Sequence, residues 1–175
     1  MIAHVVRIDA GVLASGVSVT RSGNVDAAAK GLDWAGAVDD IGKLLEIVDV
    51  VVVCAPLTPE TTGLIGASEF ARMGRSAVLV NVGRGPLVDE QALYTALVNK
   101  TIGGAVIDVW YDYPASGNIG APSALPFHEL DNILMTPHSS GLTRQTFDGR
   151  TADVVANINR LAAGEPLQSV VAVAR

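Results

Sequence analysis

The chain has 175 residues, enough for one domain with a sizeable core, and its 49% hydrophobic and 17% charged residues exclude a disordered chain. A net charge of −6 without any Lys/Arg cluster disfavours nucleic acid and anionic membranes as partners. A single cysteine cannot form an internal disulfide and suits a reducing cytoplasm.

The opening stretch "MIAHVVRIDAGVLASGVSVTRSG" has apolar residues Ile2, Val5, Val6, Ile8 and Val12 close to helical spacing, with Gly16 where a helix could end. A helix over 2–13 is predicted, followed by a strand over 17–20, which is the second half of a βαβ unit. Next, "AVDDIGKLLEIV" puts Ile41, Leu44, Leu45 and Val48 on one helical face, with Asp39 or Asp40 as N-cap. "DVVVVCAP" reads as a buried strand stopped by Pro56, with Cys54 as a small buried hydrophobe. At ten residues, with Asp49 inside it, the apolar run 47–56 is too short to span a bilayer. Nor does the N-terminus, with Arg7 and Asp9 in its apolar stretch, have a signal-peptide layout, so the cytoplasm is expected.

"SEFARM" is predicted as a short helix capped by Ser68, and "AVLVNV" as a strand. Asp89 caps a helix over "EQALYTALVNK", whose Leu93, Ala96 and Leu97 share a face and whose end is expected at Gly103-Gly104. "AVIDVW" and "NILMTP" are two further strands, and "TRQTFDGRTADVVANINRLAAG" closes the chain as a helix. Strands alternating with helices predict a doubly wound parallel α/β sheet of Rossmann type. Ligands bind such sheets beyond the carboxyl ends of the strands. Polar and glycine residues collect at five of those ends: Thr20-Arg21-Ser22, Cys54-Ala55-Pro56, residues 81–85, Asp108, and Thr136-Pro137-His138.

"VNVGRGPLVDEQAL" displays Arg84 between two glycines after a strand, where a guanidinium can bind a carboxylate through two hydrogen bonds or simply be solvated. His138, held by Pro137 at another strand end, has the residue type needed to exchange a proton near neutral pH, or else is a structural histidine. His4 and His128 have no such setting. Asp108 lies in an apolar strand and, if buried, must accept hydrogen bonds from the protein or a ligand amide. No metal ion is expected.

Together, "DVVVVCAPLTPETTGLI", "MGRSAVLVNVGRGPLVDEQAL", "GGAVIDVW" and "DNILMTPHSSGLT" resemble the nucleotide-binding domain of the D-isomer-specific 2-hydroxyacid dehydrogenases, over nearly the whole chain. The resemblance implies reversible reduction of a small 2-oxo acid to a D-2-hydroxy acid with NAD or NADP. Arg84 would bind the substrate carboxylate and polarise the carbonyl, and His138 would act as acid and base. The cofactor would lie along Ala55, Pro56, Thr61, Val82, Gly83 and Arg84; Asp108 would hold the nicotinamide carboxamide, with His138 and Ser139, Ser140 and Gly141 nearby.

Three positions depart from the family pattern. A glutamate usually precedes the proline after the Asp108 strand and bonds the histidine; here "DVWYDYP" has Tyr113 there, with Asp112 one residue away. A tyrosine accepts a hydrogen bond but brings no charge near neutral pH. The acidic residue that usually ends the second strand is replaced by Thr20, Arg21 and Ser22. These could bind a 2′-phosphate, so NADP is favoured over NAD.

Finally, no G-x-G-x-x-G occurs in the chain. The expectation is therefore an incomplete Rossmann domain over 1–163 lacking its first strand and glycine-rich loop, with 164–175 a tail returning to an absent catalytic domain. In the order 3-2-1-4-5-6 this leaves a gap flanked by the strands at 17–20 and 77–82. The gap would close by rearrangement, or a homodimer partner or complementing chain would fill it. The rival expectation is a truncated, non-catalytic fragment or partner-dependent nucleotide-binding module.

Overall fold

The structure, a computed structural model, describes residues 3–9, 12–114, 116 and 120–170. It divides into two compact units, Met1–His138 and Ser139–Arg175.

The first unit holds a seven-stranded sheet: β1 (Ala3–Asp9), β2 (Val12–Thr20), β3 (Trp34–Ala37), β4 (Val50–Val53), β5 (Val78–Asn81), β6 (Gly104–Ile107) and β7 (Ile133–Met135). Its order is β3-β2-β1-β4-β5-β6-β7. β2 pairs parallel with β3, and β4 through β7 pair parallel in sequence. β1 runs antiparallel to both neighbours, Val5 lying opposite Val17 on β2 and Val51 on β4. The other six strands therefore share one direction, as the doubly wound pattern predicts.

The segment 2–13, expected to be helical, is instead β1 and the start of β2, while Ile2, Ala10 and Gly11 lie outside the described residues. The apolar spacing there fits either period over so short a run, and Val5, Val6, Ile8 and Val12 are β-branched, which lowers helix propensity. The decisive term is tertiary. A slot between β2 and β4 would leave two rows of backbone N–H and C=O groups unpaired, and β1 pairs with both. The slot is also flanked differently from the sequence expectation: its second neighbour is β4, not the strand near 77–82. "WAGA", with a glycine and two alanines, carries little strand signal, yet it forms β3 and shifts the strand count by one.

Four helices accompany the strands: α1 (Ile41–Ile47), α2 (Ala67–Phe70), α3 (Glu90–Val98) and, in the second unit, α4 (Arg144–Ala162). On α1, Leu44 and Leu45 are buried, but neither Asp39 nor Asp40 caps it through its side chain. Asp40 instead accepts from the Ala37 N–H at 3.0 Å, closing the 3-10 turn that leads into the helix. Ser68 does not cap α2; Gly66 does, its N–H bound by Glu69 at 3.0 Å, while Ser68 donates to the same carboxylate.

The Asp89 cap of α3 is present, accepting from the Ala92 N–H at 2.7 Å. Leu93, Ala96 and Leu97 are buried as predicted; each buried leucine contributes about 2 kcal/mol. α3 stops at Val98, with Lys100 in the left-handed region at φ 52°. Gly103 and Gly104 serve another purpose, since a Cβ there would lie 2.7 Å from the Ser76 carbonyl and 2.8 Å from that of Asn132. Cys54 is half-buried rather than buried.

In the second unit Thr143 caps α4, accepting from the Thr146 N–H at 3.1 Å. Asn157 and Gln168 exchange two hydrogen bonds, and Arg160 reaches Glu165, so the segment after α4 folds back along its last turns. No helix among the described residues is long and apolar enough to cross a membrane.

Candidate active site

Because six strands are parallel, the ends of β2, β4, β5, β6 and β7 bring the predicted site residues to one edge of the sheet. Arg84, Asp108 and His138 follow three adjacent strands, β5, β6 and β7.

The turn after β5 is shaped by Asn81. Its side chain is 1% exposed; Oδ1 accepts from the Gly83 N–H at 3.1 Å and Nδ2 donates to the Arg84 carbonyl at 3.0 Å. Both glycines beside Arg84 are there for space and not for a positive φ. A Cβ on Gly83 would lie 3.1 Å from the Ala55 carbonyl, and one on Gly85 would lie 2.2 Å from that of Trp110. This tight packing turns the Arg84 side chain outward, where it is exposed and donates to the Gly83 carbonyl at 2.7 Å. Val82 is exposed beside it.

Asp108 is 2% exposed, and its Oδ1 accepts from the Thr136 hydroxyl at 2.5 Å. Its N–H donates to the Asn81 carbonyl, tying the end of β6 to that of β5. Trp110 crosses to β7, its Nε1 donating to the Thr136 carbonyl at 2.9 Å. From the same residue the backbone N–H donates to the Tyr113 hydroxyl at 3.1 Å, and that hydroxyl lies 3.0 Å from His138 Nδ1. Tyr113, not Asp112, is thus the described partner of the histidine. His138 itself has φ 57°, a strained conformation that histidine tolerates better than most residues. Trp110, Pro122, Met135, Thr136 and Pro137 line an open groove of about 310 Å³ beside this cluster.

Elsewhere along the edge, Ala55 is buried and Pro56 exposed. Thr61 is engaged within its own loop, donating to the Pro56 carbonyl and accepting from the Thr58 N–H, each at 2.8 Å. At the end of β2, Thr20 accepts from the Gly23 N–H and Ser22 from the Asn24 N–H, leaving Arg21 exposed. The Glu60 carboxyl is held below its usual range, chiefly by the Thr58 hydroxyl, with a smaller contribution from the Arg21 charge. Between these two ends the sheet presents the amino end of β1, since Ala3 lies opposite Val19 and Val53. Ser139, Ser140 and Gly141 begin the second unit.

Sequence reasoning gave no role to Asn81, Trp110 or Thr136. An asparagine closing an apolar strand, two residues before a glycine, is a signal that could have found the first; the other two become evident only through β6–β7 pairing.

Residues 7–140 match the family model for the NAD binding domain of the D-isomer specific 2-hydroxyacid dehydrogenases. The chain belongs to this family. It is 40% identical over 133 residues to a glycerate dehydrogenase of Methylorubrum extorquens, an alignment covering 75% of the chain and 40% of that enzyme. It is also 40% identical over 119 residues to glyoxylate/hydroxypyruvate reductase B of Salmonella newport, covering 68% of the chain and 35% of the reductase. The chain thus spans well under half the length of these curated relatives. Among solved structures, a D-isomer specific 2-hydroxyacid dehydrogenase of Xanthobacter autotrophicus Py2 in complex with NADPH and MES superposes with a TM-score of 0.72. At 33% identity, that match covers 89% of the chain and 60% of the Xanthobacter chain.

Proposed function

We propose that the chain supplies the nucleotide-binding part of an NAD(P)-dependent D-2-hydroxyacid dehydrogenase, which interconverts a small 2-oxo acid and its D-2-hydroxy acid. The observation that carries this reading is that a guanidinium, a buried carboxylate and a histidine stand at the carboxyl ends of three adjacent parallel strands. Arg84 binds the substrate carboxylate through paired hydrogen bonds and draws electron density from the neighbouring carbonyl. His138 delivers a proton to the substrate oxygen in reduction and removes it in oxidation. When bound, the dinucleotide supplies the hydride exchanged at the substrate carbon.

The residues present fit such a cofactor at its two ends. Asp108 would hold the nicotinamide carboxamide, and Ala55, Pro56, Thr61, Val82, Gly83, Ser140 and Gly141 would lie along it. Thr20, Arg21 and Ser22 would hold the adenosine ribose. The exposed Arg21 guanidinium, with no carboxylate in the Thr20–Ser22 stretch, favours the 2′-phosphate of NADP over NAD, and the Xanthobacter relative binds NADPH. A cytoplasmic setting, a homodimer or complementing chain as partner, and a tail over 164–175 that returns to a catalytic domain complete the reading.

One observation favours a second reading, a non-catalytic or partner-dependent nucleotide-binding module. Where a parallel first strand would deliver a turn and helix N-terminus to the pyrophosphate, the edge carries the amino end of β1. Titration of the chain with NADPH and NADH, followed by energy transfer from its two tryptophans, tests whether the site takes a dinucleotide at all, and turnover of a 2-oxo acid with the bound cofactor separates the two readings. Saturable micromolar binding supports cofactor use, and silence with both refutes catalysis by this chain alone. In an active form, Arg84→Ala and His138→Ala should each lower turnover by about 10²- to 10⁴-fold; unchanged turnover refutes the assigned roles.

A further inference from the structure

We propose that Tyr113 is a positioning residue that holds neutral His138 in its Nε2–H tautomer and so poises the site for reduction over oxidation. The inference rests on the reading of His138 as the acid and base.

It starts from counting protons around one oxygen. The Trp110 backbone N–H can only donate, so it takes one lone pair of the Tyr113 hydroxyl. Trp110 is itself fixed, 6% exposed and anchored through Nε1 to the Thr136 carbonyl, so the tyrosine oxygen is held in place although its ring is 54% exposed. That oxygen has one proton and one lone pair left to offer His138 Nδ1, 3.0 Å away. A phenol is a better donor than acceptor, and the bare nitrogen of a neutral imidazole is a good acceptor. In the neutral ring, therefore, Tyr113 donates to Nδ1 and the ring proton sits on Nε2. In the imidazolium both nitrogens carry protons, the hydroxyl rotates, and Nδ1–H donates to the remaining lone pair. A carboxylate in the same place could only accept.

The two directions of the reaction then start from unequal positions. In reduction the imidazolium releases its Nε2 proton to the substrate oxygen, and Nδ1–H stays bonded to Tyr113. In oxidation a neutral ring must take the substrate's hydroxyl proton on Nε2, where the tautomer favoured by Tyr113 already has one. Only the minor Nδ1–H tautomer can act as base.

The test is ¹⁵N NMR of ring-labelled chain at alkaline pH, with the His138 signals assigned by their loss in His138→Gln. In the wild type the downfield shift of an unprotonated nitrogen should fall on Nδ1. Tyr113→Phe keeps the ring and removes the hydroxyl, so both nitrogens should move to intermediate shifts. Tyr113→Glu can only accept, so the downfield shift should move to Nε2. Identical spectra for wild type and Tyr113→Phe, or an Nδ1–H ring in the wild type, would overturn the proposal. In an active form, Tyr113→Glu should raise the ratio of kcat for oxidation to kcat for reduction, each at saturating substrate and one pH, roughly tenfold, about the worth of one hydrogen bond, while the ratio of kcat/KM values stays fixed by the reaction equilibrium; an unchanged kcat ratio would overturn the directional claim. Whether His138 exchanges protons at all is read separately, from turnover of His138→Gln, so the two failures are distinguishable.

Discussion

Replacing Gly85 by alanine tests how the site is built, because the methyl group has nowhere to go. Its Cβ would lie 2.2 Å from the Trp110 carbonyl oxygen, 2.5 Å from the Trp110 carbonyl carbon and 3.1 Å from the Tyr111 nitrogen. All three are backbone atoms, so no side chain can swing aside, and the strand end must move by about 1 Å to restore van der Waals contact. Overpacking of a buried site costs about 1–3 kcal/mol, and a backbone obstacle puts this case at the upper end, near 3 kcal/mol. For a chain of this size that lowers Tm by about 6–12 °C.

The assay is thermal unfolding followed by far-UV circular dichroism and tryptophan fluorescence, with Gly74→Ala as control. Gly74 has no atom within 4 Å of the position its Cβ would take, so its substitution should change stability by less than about 0.5 kcal/mol. A Gly85→Ala protein melting within about 1 °C of the wild type would refute the claim that packing against Trp110 dictates this glycine.

Other consequences follow from single contacts. Asn81→Ala removes both bonds of a buried side chain and leaves the Gly83 N–H without its partner, which should cost about 2–4 kcal/mol in urea unfolding. Asp89→Ala removes the α3 cap and should cost about 1 kcal/mol by the same measurement. Burial, reinforced by the charges of Glu90 and Asp89, pushes the Tyr111 phenol up from its usual value of 10.0. The unfolded chain therefore loses this proton first, so stability is intact below about pH 10 and falls as pH rises above it. Tyr111→Phe should flatten that alkaline decline, and an equal decline in both proteins would contradict the burial argument. For β1, NOEs from Val5 to both Val17 and Val51 are expected, whereas a run of sequential amide–amide NOEs over residues 3–9 would restore the helix.

Local chemistry made much of this legible without coordinates. "DVVVVCAP", "AVLVNV", "AVIDVW" and "NILMTP" are short apolar runs between helical patterns, so β4 to β7 and their common direction could be read directly. Asp89 and the Leu93–Ala96–Leu97 face announced α3, because a cap and an apolar stripe are properties of a few neighbouring residues. Arg84 and His138 stood out for the same reason, as polar residues directly after such runs.

Tertiary structure decided what depends on neighbours distant in the chain. Residues 3–9 could be coiled or extended by their own preferences, and the unpaired edges of β2 and β4 chose the strand. "WAGA" became β3 because β2 offered it a partner at Val17–Thr20. Ser68 and Asp39 had the chemistry of caps but not the backbone position. Between Tyr113 and Asp112, sequence could say only that one of them replaces the usual glutamate. The Trp110 N–H chose Tyr113 by fixing its oxygen 3.0 Å from His138. Residue types and their order thus determined the family and the chemical groups at the sheet edge. Long-range pairing, where each backbone group must find a partner somewhere in the fold, decided which of them meet.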